Sequence, residues 1–370
     1  MLYPYKRPRH PMRAMHGFIT YIFDKVWCCA PNEEYSLELF KGFPNLYAVM
    51  YELHRADLAG EEKGAGAFFY RYVNKIFKEF KSLSSEELKF YRKAFRDNNH
   101  IQALCEGRKE PVRYIAGAQS PLMDTVEAFF SKLYSCGFFS LKVVKEHIGA
   151  DLQKHYSDFA YLNKMPCCPF CGLLPMDSEY DPTREAYDHY LPSSKYPFNS
   201  VNLRNLAPSC YKCNSQNKGP KDPLHDEAGN RSKAFYPYSS DGYQVKVSMH
   251  FKSAARLPAE EKEIYIDLSC AGYEEEIATW DRLYKIRKRY VAKCLSSSGA
   301  KYWLQRVLDE NKNYKQVSQD ALSKELKQFE SFPWHESNFL KMAFFDACQE
   351  VALIDVLVDN SKVDQDCSRV

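Results

Sequence analysis

Two Cys-x-x-Cys pairs, Cys168 with Cys171 and Cys210 with Cys213, limit what this chain can fold into more than any other feature. Each pair makes a tight knuckle that turns two thiolates toward one ion. Two knuckles close a four-sulfur tetrahedron with no coordination position left for water. A zinc ion held this way is a structural staple. Pro169 and Gly172 suit the first knuckle, because proline pre-sets a turn and glycine accepts a positive φ. Cys167 adjoins that pair and is a competing thiol; the simpler reading makes it a small, partly buried residue.

The other cysteines argue against a disulfide framework. There are 13 in all, an odd number scattered from Cys28 to Cys367, and outside the knuckles their spacing is irregular. That usage points to a reduced, cytoplasmic protein. A chain of 370 residues can bury a real core and hold two or three domains. Its formal charge of +3 is too small to identify a polyanion binder, since phosphate affinity follows local clustering and not the total. No run of about eighteen uncharged apolar residues occurs, so no membrane span is expected. Lys6, Arg7, Arg9 and Arg13 precede GFITYIF, but Asp24 and Lys25 interrupt the apolar run and no clean cleavage site follows. The segment reads as a basic arm leading into a helix.

The fold class expected is mainly α with a small α+β insert: an N-terminal helical region over 1–160, a metal-bearing module over 161–252 and a C-terminal helical region over 253–370. Apolar residues at helical spacing, such as Phe69, Tyr72, Val73, Ile76, Phe77 and Phe80, mark the first region, and 126–156 continues in that style. Ser84 and Glu87 form a capping box. Near Met165 the texture changes to Cys, Pro, Gly and Asn, the signature of short strands and turns. Residues 215–232 read as loop and Tyr243 to Phe251 as an alternating strand. After Pro258 helix is expected again, with Ile277, Trp280, Leu283 and Ile286 on one stripe and further helices near 316–330 and 335–358.

Between the knuckles and directly after the second lies a set of polar groups suited to hydrolysing a phosphodiester without a covalent intermediate: Asp188, His189, Asn205 and Asn214. Asp188 and His189 follow a short strand-like segment, where neighbouring side chains point to opposite faces unless the strand ends, and Leu191-Pro192 ends it. Amide and carboxylate oxygens are hard donors, so Asn214 and Asp188 suit Mg²⁺. A helix starting near Cys210 would set Asn214 and Lys218 on one face, with Lys218 meeting a substrate phosphate as a point charge. Asn205 reads either as a turn former or as an amide fixing the loop that carries His189.

The pattern Cys-x-x-Cys, Asp-His-Tyr-Leu-Pro, Asn-Leu-x-Pro-x-Cys-x-x-Cys-Asn-x-x-x-Lys-Gly resembles the HNH endonuclease family, the ββα-metal or His-Me finger nucleases, over roughly residues 165 to 220. The resemblance implies a ββα module with a structural zinc between two helical regions. His189 is then the general base, Asp188 the preceding carboxylate, Asn205 the middle Asn with Asn202 a lower-ranked candidate, and Asn214 the metal ligand in place of the family's last His. Ser193 stands where family members often carry Lys, and the step from Asn214 to Lys218 is one longer than the commonest form. A looser likeness, carried by AFYPYSSDGY, Trp280 and the Arg289-Tyr290 helix, is to HNH proteins encoded beside ATPases in bacterial phage-defence operons.

The resemblance implies hydrolysis of DNA, with RNA as a further possible substrate, by a Mg²⁺- or Mn²⁺-dependent enzyme with structural Zn²⁺. Substrate contacts are expected from Lys218, Arg204 and Lys212, among basic residues that also include Lys195, Lys221, Arg231 and Lys233. A second basic stretch, Arg282, Lys285, Arg287, Lys288, Arg289 and Lys293, faces only Asp281 and brings Tyr284 and Tyr290 for packing on sugar or base. Helical flanks of this size need a task, either docking a partner ATPase or self-association. The alternative is a zinc-stabilised subunit that binds nucleic acid or protein without catalysis.

Overall fold

A computed structural model describes the chain except for residues 61–64, 116–119, 136–140, 253–256, 258–259, 313–318 and 352–370. It is mainly helical, with two small two-stranded sheets. By packing the chain divides into two compact units, one comprising Pro4–Met165 and Asp177–Asp241, the other Met1–Tyr3, Pro166–Met176 and the part from Gly242 onward.

The first unit is a helical bed that carries a short hairpin-like ladder. The basic arm enters α1 (Arg13–Tyr21), which runs on through a π turn at Ile22–Val26 and a 3₁₀ turn at Trp27–Asn32. Then come α2 (Pro44–Leu58), α3 (Ala65–Phe80), α4 (Ser85–Asn98), α5 (Ile101–Cys105), α6 (Pro121–Ser135), α7 (Lys142–Ile148) and α8 (Leu152–Asn163). The capping box expected at Ser84 and Glu87 starts α4. The stretch 126–156 is not continuous: α7 ends on Gly149 at φ 71°, and Asp151 caps α8 by accepting from the Lys154 amide. Strand β1 (Tyr187–His189) pairs antiparallel with β2 (Leu206–Pro208), setting Asp188 opposite Ala207 and His189 opposite Leu206.

Aromatic rings fill the helical core. Phe23 stacks on Phe95 with centroids 4.1 Å apart, and Trp27 packs edge-on against Phe129 at 5.4 Å. Phe198, from the loop between β1 and β2, enters the same core edge-on to Phe23, Phe95 and Phe130 at 5.5 to 5.6 Å. The loop is thereby moored among helices. Burying an aromatic side chain of this size stabilises by about 2 to 3 kcal/mol before edge-to-face contacts add to it.

The second unit contains β3 (Lys246–Phe251) paired antiparallel with β4 (Ile264–Ser269), then α9 (Glu274–Tyr284), α10 (Ile286–Leu295), α11 (Ala300–Lys312), α12 (Gln319–Ser331) and α13 (Asn338–Glu350). Strand β4 lies where the sequence reading expects helix. Ile264, Ile266 and Leu268 are buried while their neighbours are exposed, the period-2 pattern of a strand with one wet face. The stripe from Ile277 to Ile286 also breaks. Lys285 adopts φ 54° and ends α9, and the Asp281 carboxylate accepts the Arg287 amide at 2.8 Å, capping the new helix α10. Of the helices expected at 316–330 and 335–358, residues 316–318 and 352–358 lie outside the described residues, as do Pro258 and Cys367. Among the described residues no helix is long and apolar enough to cross a membrane.

Candidate active site

Cys168, Cys171, Cys210 and Cys213 are all buried, and their sulfurs lie within 4.8 Å of one another. A tetrahedral ion with Zn–S bonds of about 2.3 Å needs sulfurs about 3.8 Å apart, so this cluster can bind a structural metal such as zinc. The local backbone explains why the two thiols within each pair converge. In the first knuckle the Cys171 and Gly172 amides donate to the Cys168 carbonyl at 3.1 and 2.6 Å, and the Leu173 amide donates to the Cys171 sulfur at 3.5 Å. In the second, the Cys213 and Asn214 amides donate to the Cys210 carbonyl at 2.9 and 3.0 Å. Gly172 sits at φ 68°, and a Cβ there would lie 2.5 Å from Phe339 and 2.6 Å from Leu2, so both backbone and space demand glycine. Cys167 is buried at the edge of the knuckle, where its carbonyl accepts from the Tyr3 hydroxyl at 2.9 Å.

The polar site is built on β1 and on the helical turn Lys212–Lys218 that follows the second knuckle. That turn folds back on the strand: Nζ of Lys218 donates to Asp188 Oδ1 at 2.8 Å and to the His189 carbonyl at 2.7 Å. Lys218 is 1% exposed, so it is an internal cation bound to the protein's own carboxylate, where the sequence reading expects a point charge that meets a substrate phosphate. Asp188 is buried as well, and its Oδ2 has no hydrogen-bond partner. Burial pushes the Asp188 carboxyl above its usual range, and the Lys218 ammonium works against that shift. The unpartnered Oδ2 is the oxygen of this carboxylate left to meet a cation, and a carboxylate oxygen is a hard donor suited to Mg²⁺. Asn214 lies in the same turn, partly exposed.

On the other face of the strand, Nε2 of His189 lies 2.8 Å from the Ser200 carbonyl, and the ring meets Tyr134 edge-on at a centroid distance of 4.3 Å. A carbonyl can only accept, so Nε2 carries the proton and Nδ1 keeps its lone pair. Burial, reinforced by the Lys218 charge, holds the imidazole down at about 4, so the ring is neutral at physiological pH. The sequence reading did not find Tyr134 or the Ser200 carbonyl. Both are brought in by the helical core: Tyr134 lies in the last turn of α6 and donates to the Tyr187 carbonyl at 3.2 Å, and the Ser200 hydroxyl donates to the Phe130 carbonyl at 2.9 Å.

Asn205 is fully buried and ties the loop to its own start. Its Oδ1 accepts from the Leu191 amide at 2.7 Å, while its Nδ2 donates to the Leu191 carbonyl at 2.9 Å and to Asn199 Oδ1 at 2.8 Å. Its amide therefore clamps the loop that leaves His189. Asn202 bonds Asn99 Oδ1 at 2.9 Å and belongs to the mooring of that loop. Arg204 and Lys212 are exposed. In the second unit Tyr284 and Tyr290 are 1% and 0% exposed, so neither ring is open to a nucleotide, and Arg287 is engaged by Asp281 at 2.8 Å. In comparisons with known families, curated proteins and solved structures the chain finds no match.

Proposed function

We propose that the chain is a metal-dependent endonuclease of the HNH type that hydrolyses DNA phosphodiesters. The observation that carries this reading is the contact of Lys218 with both Asp188 and the His189 carbonyl, because it lays the turn bearing Asn214 against the strand bearing the carboxylate and imidazole. Asp188 and Asn214 would hold Mg²⁺ or Mn²⁺. When bound, such an ion supplies Lewis-acid stabilisation of the charge that develops on the phosphoryl oxygens. His189, neutral and with its Nδ1 lone pair directed by the Nε2 bond, takes a proton from the attacking water, and burial makes it a weaker base than an exposed imidazole. Asn205 keeps the ring and the Leu191 backbone in register while this happens.

A four-thiolate cage is favoured in a reducing compartment, which supports a cytoplasmic setting with Zn²⁺ as the structural ion. Its setting would be bacterial anti-phage defence, with an ATPase partner or a second copy docked on the helical flanks. Cutting of supercoiled plasmid in Mg²⁺ tests the chemistry. His189→Ala and Asn214→Ala should each abolish cleavage with zinc content unchanged, and cleavage persisting in both variants would overturn the reading.

A further inference from the structure

The arginines of the N-terminal arm meet others that come from far along the chain. Arg7, Arg13, Arg96 and Arg204 are exposed and line one cavity of about 480 Å³, together with His16 and His100. A single acidic side chain, Asp24, is among its lining residues. The cavity continues into two further depressions of about 380 and 610 Å³: Arg7 lines all three, Arg204 and His100 the second, Arg13 the third. Tyr238 lines both of the added depressions, and its hydroxyl is fixed on the Leu206 carbonyl. In a chain whose formal net charge is only +3, this is an extended trough of cations with almost no internal neutralisation.

The clustering has an electrostatic cost in the free protein. Desolvation, with Arg204 and Arg13 next to it, pulls the Arg7 guanidinium below its usual value, and burial with Arg204 presses His16 down to about 4. His16 Nδ1 is also buried without a hydrogen-bond partner. Like charges gathered in a concavity beside an unsatisfied imidazole await an anion, and the run of three depressions sharing Arg7 is too long for one phosphate. Arg204 further ties the trough to the candidate active site, since it directly precedes Asn205, the residue that clamps the loop leaving His189.

We propose that this trough binds the phosphodiester backbone of a single-stranded nucleic acid segment, a role that rests on the nuclease reading only for what is done to the bound strand. A strand threads concave pockets of this size, with the exposed His100 ring placed to stack on a base, whereas a stiff duplex meets them only at their rims. The arginines act as phosphate clamps and carry no sequence preference of their own.

The test is fluorescence anisotropy with labelled oligothymidylate and with a duplex of equal length, on the full chain carrying His189→Ala so that no substrate is cut. Binding of the single strand should be the tighter of the two. Arg7→Gln combined with Arg13→Gln and Arg204→Gln should weaken it at least about tenfold and flatten the salt slope by about 0.7 per arginine removed. Lys41→Gln with Lys142→Gln, on exposed surface outside the trough, should leave it unchanged. If the triple variant melts early, the single variants Arg7→Gln and Arg204→Gln replace it, each expected to weaken binding about threefold. Unchanged affinity and salt slope in folded trough variants, or preference for the duplex, would overturn the proposal. Failure of the parent chain to cut any plasmid while arginine-dependent strand binding persists would instead remove the nuclease reading and leave the trough.

Discussion

Nζ of Lys218 donates to Oδ1 of Asp188 at 2.8 Å where the two side chains retain 1% and 4% of their exposure. A buried pair of this kind contributes little beyond its own desolvation, but breaking it by removing one partner leaves a charge stranded and costs about 3 to 5 kcal/mol. Lys218→Met should therefore destabilise by about 3 kcal/mol in urea unfolding. The double variant with Asp188→Asn should recover a large part of that loss, and additive losses would mean that the two side chains act independently.

Asn205 answers both backbone groups of Leu191 and the side chain of Asn199 with one buried amide. Asn205→Ala leaves those groups without partners and without water, an expected loss of about 2 to 3 kcal/mol. Amide hydrogen exchange at Leu191 is the direct readout: protection should drop there first, while α2 and α3 keep theirs.

Purified reductively, the protein should contain one zinc per chain by elemental analysis. Cys168→Ser and Cys210→Ser should each lose the metal and lower the melting temperature, because a structural zinc contributes folding free energy outright. Cys167→Ser should retain both, since Cys167 lies outside the four-sulfur group.

His155 is 2% exposed, with Nδ1 2.5 Å from the Tyr187 hydroxyl, and burial presses it down to about 4. A depressed folded value means that the unfolded chain binds the proton first, so stability is intact above about pH 6.5 and is lost as pH falls toward 4. Between pH 7 and 5 this single group should remove about 2 kcal/mol, and in His155→Gln the fall in unfolding free energy over that interval should shrink by a comparable amount. An unaltered pH slope in the variant would exclude His155 as the proton acceptor.

The features legible from sequence were those written in contiguous residues. The capping box at Ser84, the two knuckles and the alternation ending at Phe251 each have a short local cause, and the structure carries all three. The short strand ending at His189 was visible because Leu191-Pro192 terminates it. Strand β4 was written as plainly, in Ile264, Ile266 and Leu268, but was lost among helical neighbours. What could not be read depends on contacts between distant residues. Tyr134 reaches His189 only because α6 packs on the loop, and the burial of Lys218 follows from the turn folding onto β1, which no spacing rule encodes. The arginine trough likewise joins residues 7, 13, 96 and 204, each unremarkable alone.

The mooring of Phe198 sets an order of events during synthesis. Ser200, Asn199 and Asn202 find their hydrogen-bond partners 70, 101 and 103 residues earlier in the chain, all on helices or their ends that leave the ribosome long before the loop does. Closing such separations is entropically slow unless the receiving surface already exists. The loop between β1 and β2 is thus a latecomer that is moulded on a finished cradle, and a nascent chain halted before the helices settle would hold Asp188, His189 and Asn205 yet none of their alignment.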